Sequence, residues 1–188
     1  TNETSFFRDL HPFEILRTQI LPEILRNKKD KKQLNIWSAA CSSGQEIYSI
    51  AMMLKEHFPQ LSGWNVNLLA TDLSTEILEK AKAGVFNQID VNRGLPAQLL
   101  TKYFQRQGMN WTLRSDVTQM VTFQKLNLIE TWPTLPEMDA VFLRNVLIYF
   151  PIDIKRQILE KIRKVMAPGA VLFLGAAETT VNLDVKFK

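Results

Sequence analysis

Apolar positions come in short blocks along this chain, and their period switches repeatedly between helix and strand. In residues 12–25, Phe13, Leu16, Ile20, Leu21 and Ile24 fall near helical spacing, which predicts an amphipathic helix with Pro22 as a kink point. Residues 34–40 form a short apolar strand closed by the small polar turn Cys41-Ser42-Ser43-Gly44. The pattern is helical again over 45–58, with Ile47, Ile50, Ala51, Leu54 and Phe58 on one face. A second strand, 66–71, ends on Asp72, and Ser74 is placed to cap a helix over 75–83. Strands follow at 121–126 and 140–143. Pro151 then opens a helix lined by Ile154, Ile158, Leu159, Ile162, Val165 and Met166; Pro168-Gly169 stops it, and 170–175 reads as a buried strand.

Continuous apolar strands alternating with helices predict an α/β fold with a parallel sheet covered on both faces. Such sheets bind ligands beyond the carboxyl ends of their strands. Three polar groups fall there: the turn after Ala40, Asp72, and Arg144-Asn145. One stretch breaks the alternation. Residues 103–107, 111–114 and 119–124 are short, β-prone and separated by Gly108 and by Ser115-Asp116. They predict a small antiparallel β-subdomain at about 103–124, inserted before the strand at Val121.

Composition narrows the class. A chain of 188 residues with 46% hydrophobic residues supports one domain, 1–188, with a real core. No apolar run is long enough to span a bilayer and no signal pattern opens the chain, so a cytoplasmic protein without membrane insertion is expected. The lone Cys41 excludes an internal disulfide, and with two histidines it makes no metal cluster. A net charge of +4 is too mild to argue for nucleic acid, and no basic stripe is interleaved with aromatics. The run Arg26, Lys28, Lys29, Lys31, Lys32 reads as a solvated connector.

Strand, small-residue turn, helix, strand, acid is the layout of a nucleoside-binding site. The turn lets backbone approach a ligand, and an acid ending the second strand can accept from ribose hydroxyls. Asp72 follows Gly44 at a longer spacing than the ~20 residues of the dinucleotide fingerprint, and the turn has one glycine instead of three. Adenosine without phosphates therefore fits better than a pyrophosphate. On pattern alone, Asp72 serves equally well as a helix cap.

The segment Asn2-Glu3-Thr4-Ser5-Phe6-Phe7-Arg8-Asp9 resembles the opening signature of the CheR-type chemotaxis receptor methyltransferases. So does Ile36-Trp37-Ser38-Ala39-Ala40-Cys41-Ser42-Ser43-Gly44-Gln45-Glu46, continued by Tyr48-Ser49-Ile50-Ala51-Met52. Leu69-Ala70-Thr71-Asp72 and Arg144-Asn145-Val146-Leu147-Ile148-Tyr149-Phe150 complete the match in order, with Leu172-Phe173-Leu174-Gly175 and Glu178 behind them. The resemblance implies a Rossmann-like methyltransferase fold with a small β-subdomain, and S-adenosyl-L-methionine as donor, leaving S-adenosyl-L-homocysteine.

Carried over block by block, it implies cofactor contacts from Asn2, Thr4 and Arg8. Glu46 would lie at the methionine end and Asp72 at the ribose, with Asn127, Leu128, Arg144 and Asn145 completing the pocket. Arg8 and Tyr149 would border the reaction centre. It further implies a protein-glutamate O-methyltransferase, a monomer, whose partners are the cytoplasmic helices of methyl-accepting chemotaxis receptors. The family's N-terminal helical domain is expected to be absent from this chain.

Each residue also has a plainer reading. Arg8 could pair with Asp9 or Glu3 on the surface, Tyr149 could be a core aromatic, Asn145 could make a turn, and Glu46 could be a first-turn helix acid. The family turn usually reads Gly-Cys-Ser-Thr-Gly-Glu-Glu; here Ala40, Ser43 and Gln45 replace three of those residues. Ala40 puts a methyl where backbone meets ligand, tolerable only at negative φ. Ala176-Ala177 stand where the family has His-Ser. Two rivals share the cofactor half of the site: a methyltransferase acting on RNA or a small molecule, and a non-catalytic S-adenosylmethionine-binding regulatory module.

Overall fold

The computed structural model describes residues 3–179. The first helical run starts as α1 (His11–Ile15), widens into a π turn over Leu16–Ile20 and resumes as α2 (Leu21–Asn27). Pro22 sits in the first turn of α2, directly after the π turn, and having no N–H it interrupts the bonding back to the preceding turn. The wide turn ahead of it gives the ring room.

The chain then alternates β1 (Gln33–Ala39), α3 (Gln45–His57), β2 (Asn65–Asp72) and α4 (Thr75–Ala83). Ser74 caps α4 as expected, its hydroxyl accepting from the Ile77 N–H at 3.2 Å. An excursion follows: β3 (Val85–Asn87), α5 (Gln88–Asn92), α6 (Ala97–Tyr103), β4 (Phe104–Gln107), β5 (Asn110–Leu113) and α7 (Ser115–Thr118). The chain returns with β6 (Val121–Lys125), β7 (Met138–Leu143), α8 (Ile152–Val165) and β8 (Met166–Leu174).

The main sheet has the order β6-β2-β1-β7-β8, and every pairing in it is parallel. Numbered by chain order within the sheet, the strands stand 3-2-1-4-5, so the winding reverses between β1 and β7. That reversal leaves a crevice beyond the strand ends. Side chains alternate across the sheet. Leu34 and Ile36 face a core shared with Leu68, Ala70, Ala140, Phe142 and the inner side of α3. Trp37 and Ala39 face a second core with Leu69, Val141, Leu143 and the Ile158, Leu159 and Ile162 stripe of α8. Each layer is needed: truncating Ile158, fully buried, to alanine would cost roughly 2–5 kcal/mol.

The small antiparallel sheet exists, but its boundaries differ from the expectation of 103–124. Its order is β3-β5-β4, so the third strand comes from Val85–Asn87, while Val121–Lys125 pairs with β2 in the main sheet. A three-residue strand is too short to show a period, which hides β3 in the sequence. Phe86 and Phe104 from this sheet pack edge-on against Phe6, at 5.0 and 5.8 Å between ring centroids.

At the other end, α8 stops at Val165 and β8 runs through Pro168-Gly169 instead of starting after them. Proline is tolerated because it falls where the pairing with β7 is irregular, between Met166 and Val171, and because β8 is an edge strand it is half-exposed, not buried. One member of the basic run is structural: Lys28 Nζ lies 2.6 Å from the buried carboxylate of Asp139, which also accepts from the Asn35 N–H. Among the described residues no helix is long and apolar enough to cross a membrane.

Candidate active site

The turn after β1 is strained. Ala40 stands at φ +57°, Ser42 at +51° and Gly44 at +96°. The expectation that Ala40 requires negative φ is therefore corrected: it occupies the left-handed region, at a cost of roughly 1–2 kcal/mol for an L-residue. Three bonds hold the turn there. The Cys41 N–H donates to the Thr71 carbonyl at 2.8 Å, the Ser42 N–H to Asp72 Oδ2 at 2.9 Å, and the Gly44 N–H to the Cys41 carbonyl at 3.0 Å. Gly44 is required twice over, since a Cβ would also lie 3.1 Å from the Tyr48 ring. Two departures from the family turn accommodate each other, Ser43 Oγ donating to Gln45 Oε1 at 2.6 Å.

Asp72 ends β2 facing this turn. Besides Ser42, its carboxylate accepts the Ser74 N–H at 3.1 Å. The cap of α4 is Ser74, so the plain cap reading of Asp72 is not the arrangement found. Each of its oxygens accepts one bond and retains capacity for another.

Glu46, in the first turn of α3, is not an ordinary surface acid. Its Oε1 accepts from Ser38 Oγ at 2.8 Å and its Oε2 lies 3.3 Å from Arg144 Nη1. Burial pushes the carboxyl above its usual range, opposed by Arg144 and by the Ser38 hydroxyl. Arg144, only 2% exposed, also donates to Asp9 Oδ2 at 2.7 Å and to the Arg8 carbonyl at 3.0 Å. Its buried Nε has no acceptor among the described residues. Burial beside Asp72 and Glu46 drives the Cys41 thiol far up, which makes it a packing residue and not a nucleophile.

The remaining walls come from three segments. After β6, Asn127 Oδ1 accepts from the Ile129 N–H at 3.1 Å, and Leu128 is buried. Lys161 of α8 fastens this loop, donating to the carbonyls of Leu128 at 2.7 Å and Glu130 at 2.8 Å, over the Trp132 ring; burial lowers its ammonium pKa. After β7, Asn145 takes φ +61° and does make a turn, leading into a 3-10 turn over Leu147–Tyr149. Tyr149 is 57% exposed, which removes the core-aromatic reading. At the N-terminal end, buried Phe6 and a bond from the Phe7 N–H to Ser49 Oγ at 3.0 Å anchor the opening segment, which turns at Phe7 and Asp9. Arg8 Nη1 donates to the Glu3 carbonyl at 2.9 Å.

These segments enclose a cleft of about 240 Å³ beyond the carboxyl ends of β1, β2, β6 and β7. Thr4, Arg8, Glu46, Asp72, Asn127, Leu128, Arg144, Asn145 and Tyr149 all line it. Asn2 lies outside the described residues. Ala176-Ala177 are exposed and do not line the cleft, so the missing His-Ser pair removes nothing from its walls. Sequence reasoning missed Asp9 and Lys161, which position the walls. Asp9 stands in the opening block but its partner does not, and nothing local marks Lys161, because each acts through a residue far along the chain.

A 3-2-1-4-5 parallel sheet with an acid at the end of its second strand, facing the turn after the first, defines a Rossmann-like nucleoside-binding α/β domain. A solved glycopeptide N-methyltransferase, MtfA, complexed with S-adenosyl-L-methionine, shares this fold: TM-score 0.52, covering 93% of this chain and 51% of that one at 12% identity. Residues 2–188 match the family described as CheR methyltransferase, SAM binding domain, and the chain belongs to that family. It is 44% identical over 188 residues to chemotaxis protein methyltransferase 1 of Pseudomonas aeruginosa, covering 97% of this chain and 68% of the relative. It is 42% identical to chemotaxis protein methyltransferase Cher2 of Pseudomonas putida over the same shares, and 36% identical to a chemotaxis protein methyltransferase of Borreliella burgdorferi over 95% of this chain and 65% of that one.

Proposed function

We propose that this chain transfers a methyl group from S-adenosyl-L-methionine to glutamate side chains on the cytoplasmic helices of chemoreceptors, forming methyl esters in chemotaxis signalling. The observation that carries the reading is the cleft itself, where Asp72, Glu46 and Arg144 converge at the switch point of a sheet in a chain of this family. The donor set suits a zwitterionic nucleoside. Asp72 has acceptor capacity for ribose hydroxyls, Glu46 offers an anion to an ammonium, and the buried Arg144 Nε has no acceptor among the described residues, a place a ligand oxygen would fill. Thr4, Asn127, Leu128 and Asn145 would close the pocket around it. The proposal extends to Asn2 and to work in the cytoplasm, and it treats the chain as one methyltransferase domain bearing the small β3-β5-β4 sheet.

The bound donor supplies an activated methyl on a sulfonium. The acceptor needs no general base, because a carboxylate with a pKa of about 4.3 is already ionised at neutral pH. The chain's own task is positioning and the exclusion of water. Arg8 lines the cleft and is suited to hold a carboxylate in a two-pronged bond. Tyr149, exposed at the mouth, can orient the acceptor oxygen with its hydroxyl.

The test is to supply methyl-labelled donor with receptor-bearing membranes, with RNA, or with neither. Label entering the receptor fraction alone supports the reading; label entering RNA would transfer it to the rival substrate class.

A further inference from the structure

Glu178 lies in the turn after β8, and its carboxylate collects backbone N–H groups from two elements. Oε1 accepts from Asn145 at 2.6 Å and Gly175 at 2.8 Å; Oε2 accepts from Val146 at 3.1 Å, Leu147 at 2.7 Å and Ile148 at 3.3 Å. The N–H groups of four consecutive residues, 145–148, thus converge on one side chain from the turn after the neighbouring strand β8. They open a single turn of 3-10 helix, where no helical carbonyl is available to them, and bonds to a carboxylate are about twice as strong as neutral ones. The Gly175 N–H ties the same carboxylate to the end of β8, so the loop is fixed relative to the sheet and not merely to itself.

The approach is tight. A Cβ on Gly175 would lie 2.4 Å from Asn145 Oδ1 and 2.8 Å from Glu178 Oε1. The loop so held begins at Asn145 in the left-handed region and ends at Tyr149, and both line the cleft, whereas Glu178 does not.

We propose that Glu178 is a positioning residue for methyl transfer: by satisfying the loop amides it sets the cleft wall formed by Asn145 and Tyr149. The inference rests on reading the cleft as the donor and acceptor site. Glu178 touches no reacting group and acts only through the loop.

The test compares the parent chain with Glu178→Gln and, independently, Gly175→Ala, which keeps the carboxylate but crowds the same contact. Residue-resolved amide hydrogen exchange and calorimetric titration with S-adenosyl-L-homocysteine are run in parallel. Exchange at residues 145–148 should accelerate at least tenfold in both variants while β1 and α3 stay protected, and Kd should rise about tenfold. Unchanged exchange at 145–148 in Glu178→Gln would overturn the proposal. So would an equal rise through β1 and α3, the mark of a merely structural cap, and so would faster loop exchange with unaltered affinity. A parent chain that binds no S-adenosyl-L-homocysteine would sink the cofactor reading instead, leaving the exchange comparison to decide the role of Glu178.

Discussion

Asp72 Oδ2 accepts a 2.9 Å hydrogen bond from the Ser42 N–H, so the acid that ends β2 fastens the turn that ends β1. One side chain thereby shapes the turn and lines the cleft. Asp72→Ala should weaken binding of S-adenosyl-L-homocysteine by roughly 1–3 kcal/mol, because it strands both ligand hydroxyls and the Ser42 amide. Asp72→Asn, which can keep the bond to Ser42, should lose less. Calorimetry on both variants checks this, and unchanged affinity in a folded Asp72→Ala would reduce the residue to a turn clamp.

Glu46 gives a pH prediction. Its carboxyl is raised above 4.5, with burial the largest cause, so as pH climbs past about 4.5 the unfolded chain releases this proton while the folded chain retains it. The folded state then binds more protons, and stability falls across that window. Glu46→Gln should flatten this part of the pH–stability curve and be at least as stable as the parent at neutral pH, while its cofactor affinity drops. Denaturant titrations from acid to neutral pH read the difference. A variant that loses stability at neutral pH would mean that the 3.3 Å pair with Arg144 outweighs desolvation.

Tyr149 and Arg8 separate turnover from folding. Because the Tyr149 ring is 57% exposed, Tyr149→Phe should melt like the parent, bind the cofactor normally and turn over about tenfold more slowly, the worth of one hydrogen bond. Arg8→Ala should lose roughly 10- to 100-fold in turnover, since bonds to charged groups are stronger. Parent-like turnover in Tyr149→Phe would take the hydroxyl out of the mechanism. For Arg8, a collapse in melting temperature with normal turnover per folded molecule would return it to a surface tie on Glu3.

Much of this was legible from residue order. The parallel sheet followed from continuous apolar strands, and the Ser74 cap and the positions of Asp72 and Arg144 at strand ends followed from local chemistry. What escaped depends on partners distant in sequence. Strand β3 carries too few residues for a period, yet it pairs with β5 across a loop that nothing local announces. Pro168-Gly169 looks like a helix stop, and β8 runs through it only because it is an edge strand whose pairing with β7 jumps from Met166 to Val171. The φ of Ala40 is set by bonds to Thr71 and Asp72, both on a different strand.

That strained alanine yields a stability prediction. Ala40→Gly should relieve about 1–2 kcal/mol of left-handed strain and lose about 0.5–1 kcal/mol to the entropy of the unfolded chain. A net gain of about 0–1.5 kcal/mol is expected in equilibrium denaturation. A loss of stability would show that the methyl packs well enough to outweigh its backbone.

The central claim, esterification of glutamate, is tested most directly by the chemistry of the transferred methyl. Receptor-bearing membranes labelled by this chain from methyl-labelled S-adenosyl-L-methionine are treated with mild alkali, and the volatile methanol is counted. The account predicts that nearly all receptor-bound label leaves as methanol, and that mass spectrometry before hydrolysis places methyl esters on glutamates of the cytoplasmic helices. Label that survives alkali, as an N-methyl or ether would, or an absence of transfer by a chain that binds the donor, would contradict it.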